Sequence, residues 1–448
     1  MNFTSFSSMV RNVAVGCLTL SSILFTPACG TIHVPGPANP PPSLSGQDSL
    51  LFTKVQRQTF RYFWEGAEPH SGMALERLHI DDIYTQHDKD IVTTGGSGFG
   101  IMAILTGIER NFITRTEGRE RLEKIVGFLE GADRFHGAWP HWMEGATGKV
   151  KPFSKKDDGG DLVETSFLLE GLLCARQYFR EGSAAERALA RRIDSLWRSV
   201  DFDWYRQGKQ VLYWHWSPDY GWEMNFAVHG YNECLIMYIL AASSPTHAIT
   251  PEVYHQGWGD YRQKDILHAP LFWAHYSYLG LDPRGLKDQY ADYWEQNKQQ
   301  ALTNYQWCVD DSLGYKGYGK NSWGLTSSYS MKGYSGHAPT RRRDLGVIAP
   351  TAALSSFPYT PEESFRAMRH WYNDLKDKLW GPYGFYDAFS EQYDWYPQRY
   401  LAIDQGPIVV MMENYRSGFL WRLFMNCPEV RTGLRQLGFE SPWLKKKN

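Results

Sequence analysis

The chain predicts an all-α fold, a helical toroid with an outer ring of helices around an inner one. Three observations carry that expectation. Charged-faced helical segments alternate with segments apolar all round, and a helix apolar all round lies inside a protein. Strand signals are sparse. Three of the most apolar segments open with a carboxylate that follows a loop crowded with glycine and aromatics: Asp161, Glu233 and Asp404. If every second helix returns in the same direction, the inner helices are parallel and their first turns meet at one mouth.

Taken in order, 50–64 is amphipathic and 98–108 apolar. Glycines at 95, 96 and 98 permit a tight entry into this first inner helix. Residues 117–130 present Arg119, Glu120, Glu123 and Lys124 outward, and 162–175 are apolar again. The alternation continues with 184–200 amphipathic and 231–242 apolar, then 251–261 amphipathic and 266–279 apolar. Residues 286–305 and 361–379 are amphipathic, while 345–357 and 405–415 are apolar. The start Thr360-Pro361-Glu362-Glu363 combines an N-cap threonine, a first-turn proline and early acids. Pro407 falls in the first turn of its own helix. Residues 210–216 suit a short hairpin arm. About six outer–inner pairs result, without a fixed sequence period that would suggest a solenoid. A less regular all-α bundle fits the same segments, and in it the acids need not meet.

The formal net charge of -2 points to no nucleic-acid or anionic-membrane partner. The N-terminus reads as an export signal over 1–29, with Arg11 ahead of an apolar stretch, 13–25, that is short for a membrane span. Ala28-Cys29 resembles a bacterial lipoprotein cleavage box with Cys29 as the lipidated residue, although Thr26 replaces the usual aliphatic residue. Plain secretion is the alternative. A proline-rich tether over 30–46 leads to a single catalytic domain over 47–448. Cys174, Cys234, Cys308 and Cys427 are widely spaced, which argues against zinc, and Cys174 and Cys234 sit in apolar runs as small hydrophobes. An oxidising compartment would permit a disulfide. No metal and no organic cofactor is expected.

Asp157-Asp158-Gly159-Gly160-Asp161 is the densest acidic motif, with glycines that let the backbone present its acids to one point. Asp161 also suits an N-cap, with Glu164 three residues on as in a capping box. A calcium loop is a third reading, but the spacing matches no standard one. Glu233 is the sole carboxylate between Glu223 and Glu252 and opens a nearly all-apolar helix. Apolar walls would raise its pKa, as a general acid needs, while a helix N-terminus pulls the other way. Asp404, like Asp161, also reads as an N-cap, with Asp387 and Asp394 as rivals nearby. Rings among loop residues suggest platforms for sugar faces: Trp139, Trp142, Trp214, Trp216, Tyr220, Trp222, His229, Tyr231, Trp323 and Tyr396. Paired carboxylates beside such platforms suit glycosidic hydrolysis, and acids on separate helices favour the wider spacing of inversion. Two other readings are disfavoured. The glycine loop lacks GK[ST] and a preceding strand, and no Gly-x-Ser-x-Gly elbow is present.

Together these stretches resemble the glucoamylase-like family of bacterial exported glycoside hydrolases, whose characterised branch contains endo-β-1,2-glucanases. The resemblance is carried by 63–65, 93–100, 157–165, Tyr231-Asn232-Glu233, 404–408 and Glu413-Asn414-Tyr415. It covers nearly all of the chain after the tether. It implies an (α/α)6 barrel, inverting hydrolysis of β-1,2-glucan and sophorose-type products. By motif, the family's acids fall on Asp157, Asp161 and Glu233, and with less support on Asp404. Glu233 is expected to be the general acid, with one of the aspartates placing the water. The expected protein is a monomeric periplasmic or outer-membrane-anchored β-1,2-glucanase. Exo-acting release of sophorose, another β-glucan linkage, or a non-catalytic glycan-binding lipoprotein are the alternatives.

Overall fold

The computed structural model describes residues 45–84, 88–259 and 266–445, all within one unit, Val34–Asn448. The export signal, Cys29 and the tether up to residue 44 lie outside the described residues. What is described is predominantly helical, with a few small sheets. The first helix, Gly46–Trp64, takes in the last residue of the expected tether, because the Ser45 side chain accepts the Asp48 N–H and caps it.

Helices of the two expected kinds are present. Thr94–Glu109, Leu162–Phe179, Leu235–Ser243 and Ala402–Ser417 are buried along almost their whole length. Gly46–Trp64, Arg115–Gly131, Ala184–Arg198, Tyr293–Asp310 and Pro361–Asp374 bury one stripe and show charge to solvent. Capping boxes start two of these, Thr114 with Glu117 and Ser183 with Glu186. Thr94–Glu109 packs on Leu162–Phe179, which packs on Leu235–Ser243, and Ala402–Ser417 packs back on Thr94–Glu109. Glycine makes the first contact possible. A methyl group on Gly98 would strike the Phe167 carbonyl, and one on Gly171 would strike Gly98 itself.

Short strand pairs fix where the buried helices begin. Ile91–Thr93 pairs with Trp142–Glu144, Gly160–Asp161 with His215–Trp216, and Arg77–His79 with Arg399–Leu401. Thr93, Asp161 and Leu401, which end three of these strands, are the N-caps of the next helices. Strand pairing in the loops therefore gathers helix N-termini.

Several expectations are corrected. Segment 266–279 is three 3-10 turns, Ile266–His268, Leu271–Ala274 and Tyr276–Tyr278. Pro270 within it has no N–H to donate and disfavours helical backbone in the residue before it. Segment 345–357 shrinks to Pro350–Leu354, since Gly346 is left-handed at φ 71° and Pro350 fixes the start. Of the hairpin arm at 210–216, only His215–Trp216 is a strand, and its partner is Gly160–Asp161. Asp404 is not an N-cap but lies in the first turn of Ala402–Ser417, which puts Pro407 beyond that turn. Thr360 is an N-cap by position, yet its hydroxyl bonds back to the Ser356 carbonyl. Two further helices, Phe419–Met425 and Pro428–Gln436, were not anticipated.

Candidate active site

A cavity of about 870 Å³ opens where the helix N-termini gather. Thr93, Glu164 and Ile403 line it from the starts of three buried helices, and Glu233 from the turn before a fourth. Its remaining walls are largely rings: Trp142, Phe153, Trp214, Phe272, Tyr276, Tyr329, Tyr334, Trp395 and Tyr396. Glu76, Arg77, His79, Asp81, Asp394 and Arg399 add polar groups.

Glu233 reaches solvent only in part, through this cavity. Burial pushes its carboxyl up to about 7, and the nearby charge of Asp161 adds to that. Glu164 is also raised to about 7, again chiefly by burial. What opposes the rise differs. Against Glu164 stand the His141 imidazolium and the Gly95 N–H, which donates to its Oε2 at 2.8 Å. Glu233 has no cation among the causes of its shift.

Asp161 is fully buried and both its oxygens are engaged. Oδ1 accepts the Glu164 N–H at 2.9 Å, so the cap forms. The box does not close, because the Asp161 N–H goes to the Trp139 carbonyl and the Glu164 carboxylate turns to Gly95. Oδ2 accepts from His141 Nδ1 at 2.9 Å and from Trp214 Nε1 at 3.0 Å. Asp161 thus does not face the cavity but holds two residues that do. Burial alone would lower the His141 pKa; Glu164, Asp161 and Asp157 override it and raise it to about 10. Asp157 lies 3.1 Å from His215 Nε2, and His141, Asp157 and Asp161 offer atoms within 4.8 Å of one another. Gly159 and Gly160 serve close approach rather than a turn. A methyl group there would strike the Trp216 carbonyl and the Tyr205 hydroxyl.

Asp404 is buried, and burial, with the charge of Asp387, raises its carboxyl well above the ordinary range; burial raises Asp387 to about 6. The Tyr329 N–H donates to Asp387 Oδ2 at 2.8 Å. The pair sits close enough to the phenol of Tyr334, a cavity residue, to raise its pKa further. Of Glu233, Asp161 and Asp404, only Glu233 lines the cavity wall; Asp161 holds His141 and Trp214, which line it, and Asp404 follows the lining residue Ile403 in the chain.

The family model described as "Putative glucoamylase" (Glycoamylase) matches residues 225–428. The structure resembles that of the endo-β-1,2-glucanase from Chitinophaga pinensis in complex with sophorotriose and glucose. The TM-score is 0.87 and the identity 63%, over 90% of this chain and 100% of that one. The chain belongs to the glucoamylase-like family, in its β-1,2-glucanase branch. It is also 45% identical, over 87% of its length, to the exo β-1,2-glucooligosaccharide sophorohydrolase (non-reducing end) of Parabacteroides distasonis. The chain spans only 58% of that relative. A β-1,2-glucanase structure from Parabacteroides distasonis is 43% identical with TM-score 0.83, covering 89% of this chain and 60% of that one.

Of the platform residues read from this family member's sequence, Trp142, Trp214 and Tyr396 line the cavity. Trp139, Tyr231 and Trp323 are core residues whose polar atoms bond to Leu129, Asn297 and Glu363. Trp216, Tyr220, Trp222 and His229 lie outside the cavity wall. Sequence reasoning missed Glu76, Arg77, His79, Tyr329 and Tyr334 as cavity residues. It read Glu164 as part of a cap only. Glu164 stood out little, as one of two acids in a largely apolar helix, and no signal existed for the others, which reach the cavity from a short strand, a loop and a hairpin.

Proposed function

We propose that the protein hydrolyses β-1,2-glucan, with Glu233 as general acid. The single observation that carries this is Glu233 on a ring-lined cavity wall with its carboxyl raised to about 7 by burial, so that it keeps a proton to give near neutral pH. Glu164 is the carboxylate best placed to activate water, because the His141 imidazolium and the Gly95 N–H favour its ionised form. Both carboxyls are raised by burial, and the cation beside Glu164, with none beside Glu233, supports giving them separate roles. Asp161 is then a positioning residue, acting through His141 and Trp214. Acids on separate helices support inversion.

One relative that this chain covers over its full length is an endo-β-1,2-glucanase, which supports endo cleavage. The sophorohydrolase supports exo action as a second reading. The return of the last buried helix onto the first supports an (α/α)6 barrel. We also infer export with a lipid anchor on Cys29; Cys29→Ser would then move the protein from the membrane fraction to the soluble one.

The deciding experiment measures reducing ends released from linear β-1,2-glucan, with laminarin, cellulose and starch as controls. Wild type should act on the first alone. Glu233→Gln should lose roughly 10²–10⁴-fold in turnover while still binding. A broad ladder of products at early times means endo action, sophorose alone means exo, and the first anomer seen by NMR tests inversion. Binding by both proteins without turnover by either removes the enzyme reading in favour of a glycan-binding protein.

A further inference from the structure

The aromatic run after residue 203 is only partly used by the cavity. Trp214 lines it, and Trp216, in the short strand His215–Trp216, follows two residues on. From Trp216 the rings continue away from the cavity wall. Trp204 meets it edge-on at 6.3 Å, and Trp222 lies 6.3 Å from Trp204. His136 stacks on Trp204 with centroids 3.7 Å apart and planes 16° from parallel. Even so, Trp204 stays 40% exposed, and Phe226, which leans on Trp214 at 5.3 Å, is 52% exposed. Leaving large rings in water forfeits burial energy, and a connected row of them is more than the scattered apolar surface of an ordinary protein. A flat ring braced by other rings and open to solvent suits the C–H face of a pyranose, with hydroxyls left for the polar rim of Asp201, Asp203 and Arg206.

We propose that these rings form an outer binding tract for the length of glucan chain that runs out of the cavity. The occupant follows from continuity: the exposed ring of Phe226 packs on Trp214, a cavity residue, and Trp216, two residues along the chain, packs on exposed Trp204, so a chain leaving the cavity past Trp214 meets open rings next. The tract rests on the glucan-hydrolase reading above. It acts only on substrates longer than the cavity holds, and so sets preference for chain length rather than the chemical step.

The test compares Trp204→Ala, Trp204→Phe and wild type on polymeric β-1,2-glucan and on short β-1,2-gluco-oligosaccharides. Trp204→Ala should raise KM for the polymer roughly three- to tenfold, leave kcat unchanged and alter short-substrate kinetics by less than about twofold. Trp204→Phe should restore most of the loss. Phe226→Ala, at the cavity end, serves as a second variant should Trp204→Ala fail to fold. In a Glu233→Gln background, the Trp204→Ala shift should reappear as weaker polymer retention in affinity electrophoresis. Unchanged polymer KM, or equal losses on long and short substrates, overturns the tract alone. Wild type that neither binds nor cleaves β-1,2-glucan overturns the hydrolase reading and the tract together.

Discussion

Glu233 and Glu164 are both raised to about 7, and a hydrolase that needs the first protonated and the second ionised has a narrow working range. The signs are plain. Above about 7 Glu233 loses the proton it must donate, and below about 7 Glu164 gains one that blocks it. The profile of kcat/KM against pH should therefore be a narrow bell centred near 7, and a plateau several units wide would refute the assignment. Because the two groups share a site, the limbs belong to the pair. At this scale Glu233 was legible, since an isolated acid opening an apolar helix is rarely idle. Glu164 was not, because its place in the capping spacing has an ordinary explanation, and only the Gly95 contact shows where its carboxylate turns.

Within elements, Glu170 shows how a buried helix holds a segment that is not helical. It stands in the middle of Leu162–Phe179, fully buried, and its Oε1 accepts the Gly280 N–H at 2.8 Å and the Leu281 N–H at 3.3 Å. These bonds pin the stretch of 3-10 turns that replaces the expected helix at 266–279. Burial raises the Glu170 pKa well above the ordinary range despite both N–H groups. A carboxyl raised in the folded state contributes stability in full below its unfolded pKa of about 4.3, and that stability is lost as pH rises through the folded value. Glu170→Gln should therefore match wild type near pH 4 and melt higher at pH 8. Glu170→Ala should cost about 2–4 kcal/mol near pH 4, since it strands two buried donors and opens a cavity, and less at pH 8, where wild type has lost the contribution of the neutral carboxyl. Denaturant unfolding at the two pH values checks both. The turns themselves were hidden by composition: 266–279 is apolar enough for an inner helix, and Pro270 was the one warning.

At the scale of the whole molecule, the four cysteines of the described core are free and buried. No disulfide braces the described residues, so packing alone closes the fold. Reductant should leave the melting temperature unchanged, and a thiol reagent should label Cys174, Cys234, Cys308 and Cys427 only as the protein unfolds. A reductant-induced drop of several degrees would show a covalent brace. Alternation led to the expectation that the starts of buried helices gather at one cavity, as Thr93, Glu164 and Ile403 do. The means was not legible, because strands of two or three residues, which set the helix N-termini side by side, carry too little pattern to read.

The order of apolar and charged-faced segments, the carboxylates at their starts and the family motifs were all determined by the sequence, because helical periodicity and local motif chemistry depend on neighbours along the chain. Which acid faces the cavity, which is buried as a scaffold, and which rings are core, platform or outer surface were decided only in the tertiary structure. Burial, pKa and access depend on neighbours in space. For Glu164, Asp161 and Asp404 those neighbours come from other segments of the chain, such as Gly95 for Glu164, Trp214 for Asp161 and Asp387 for Asp404.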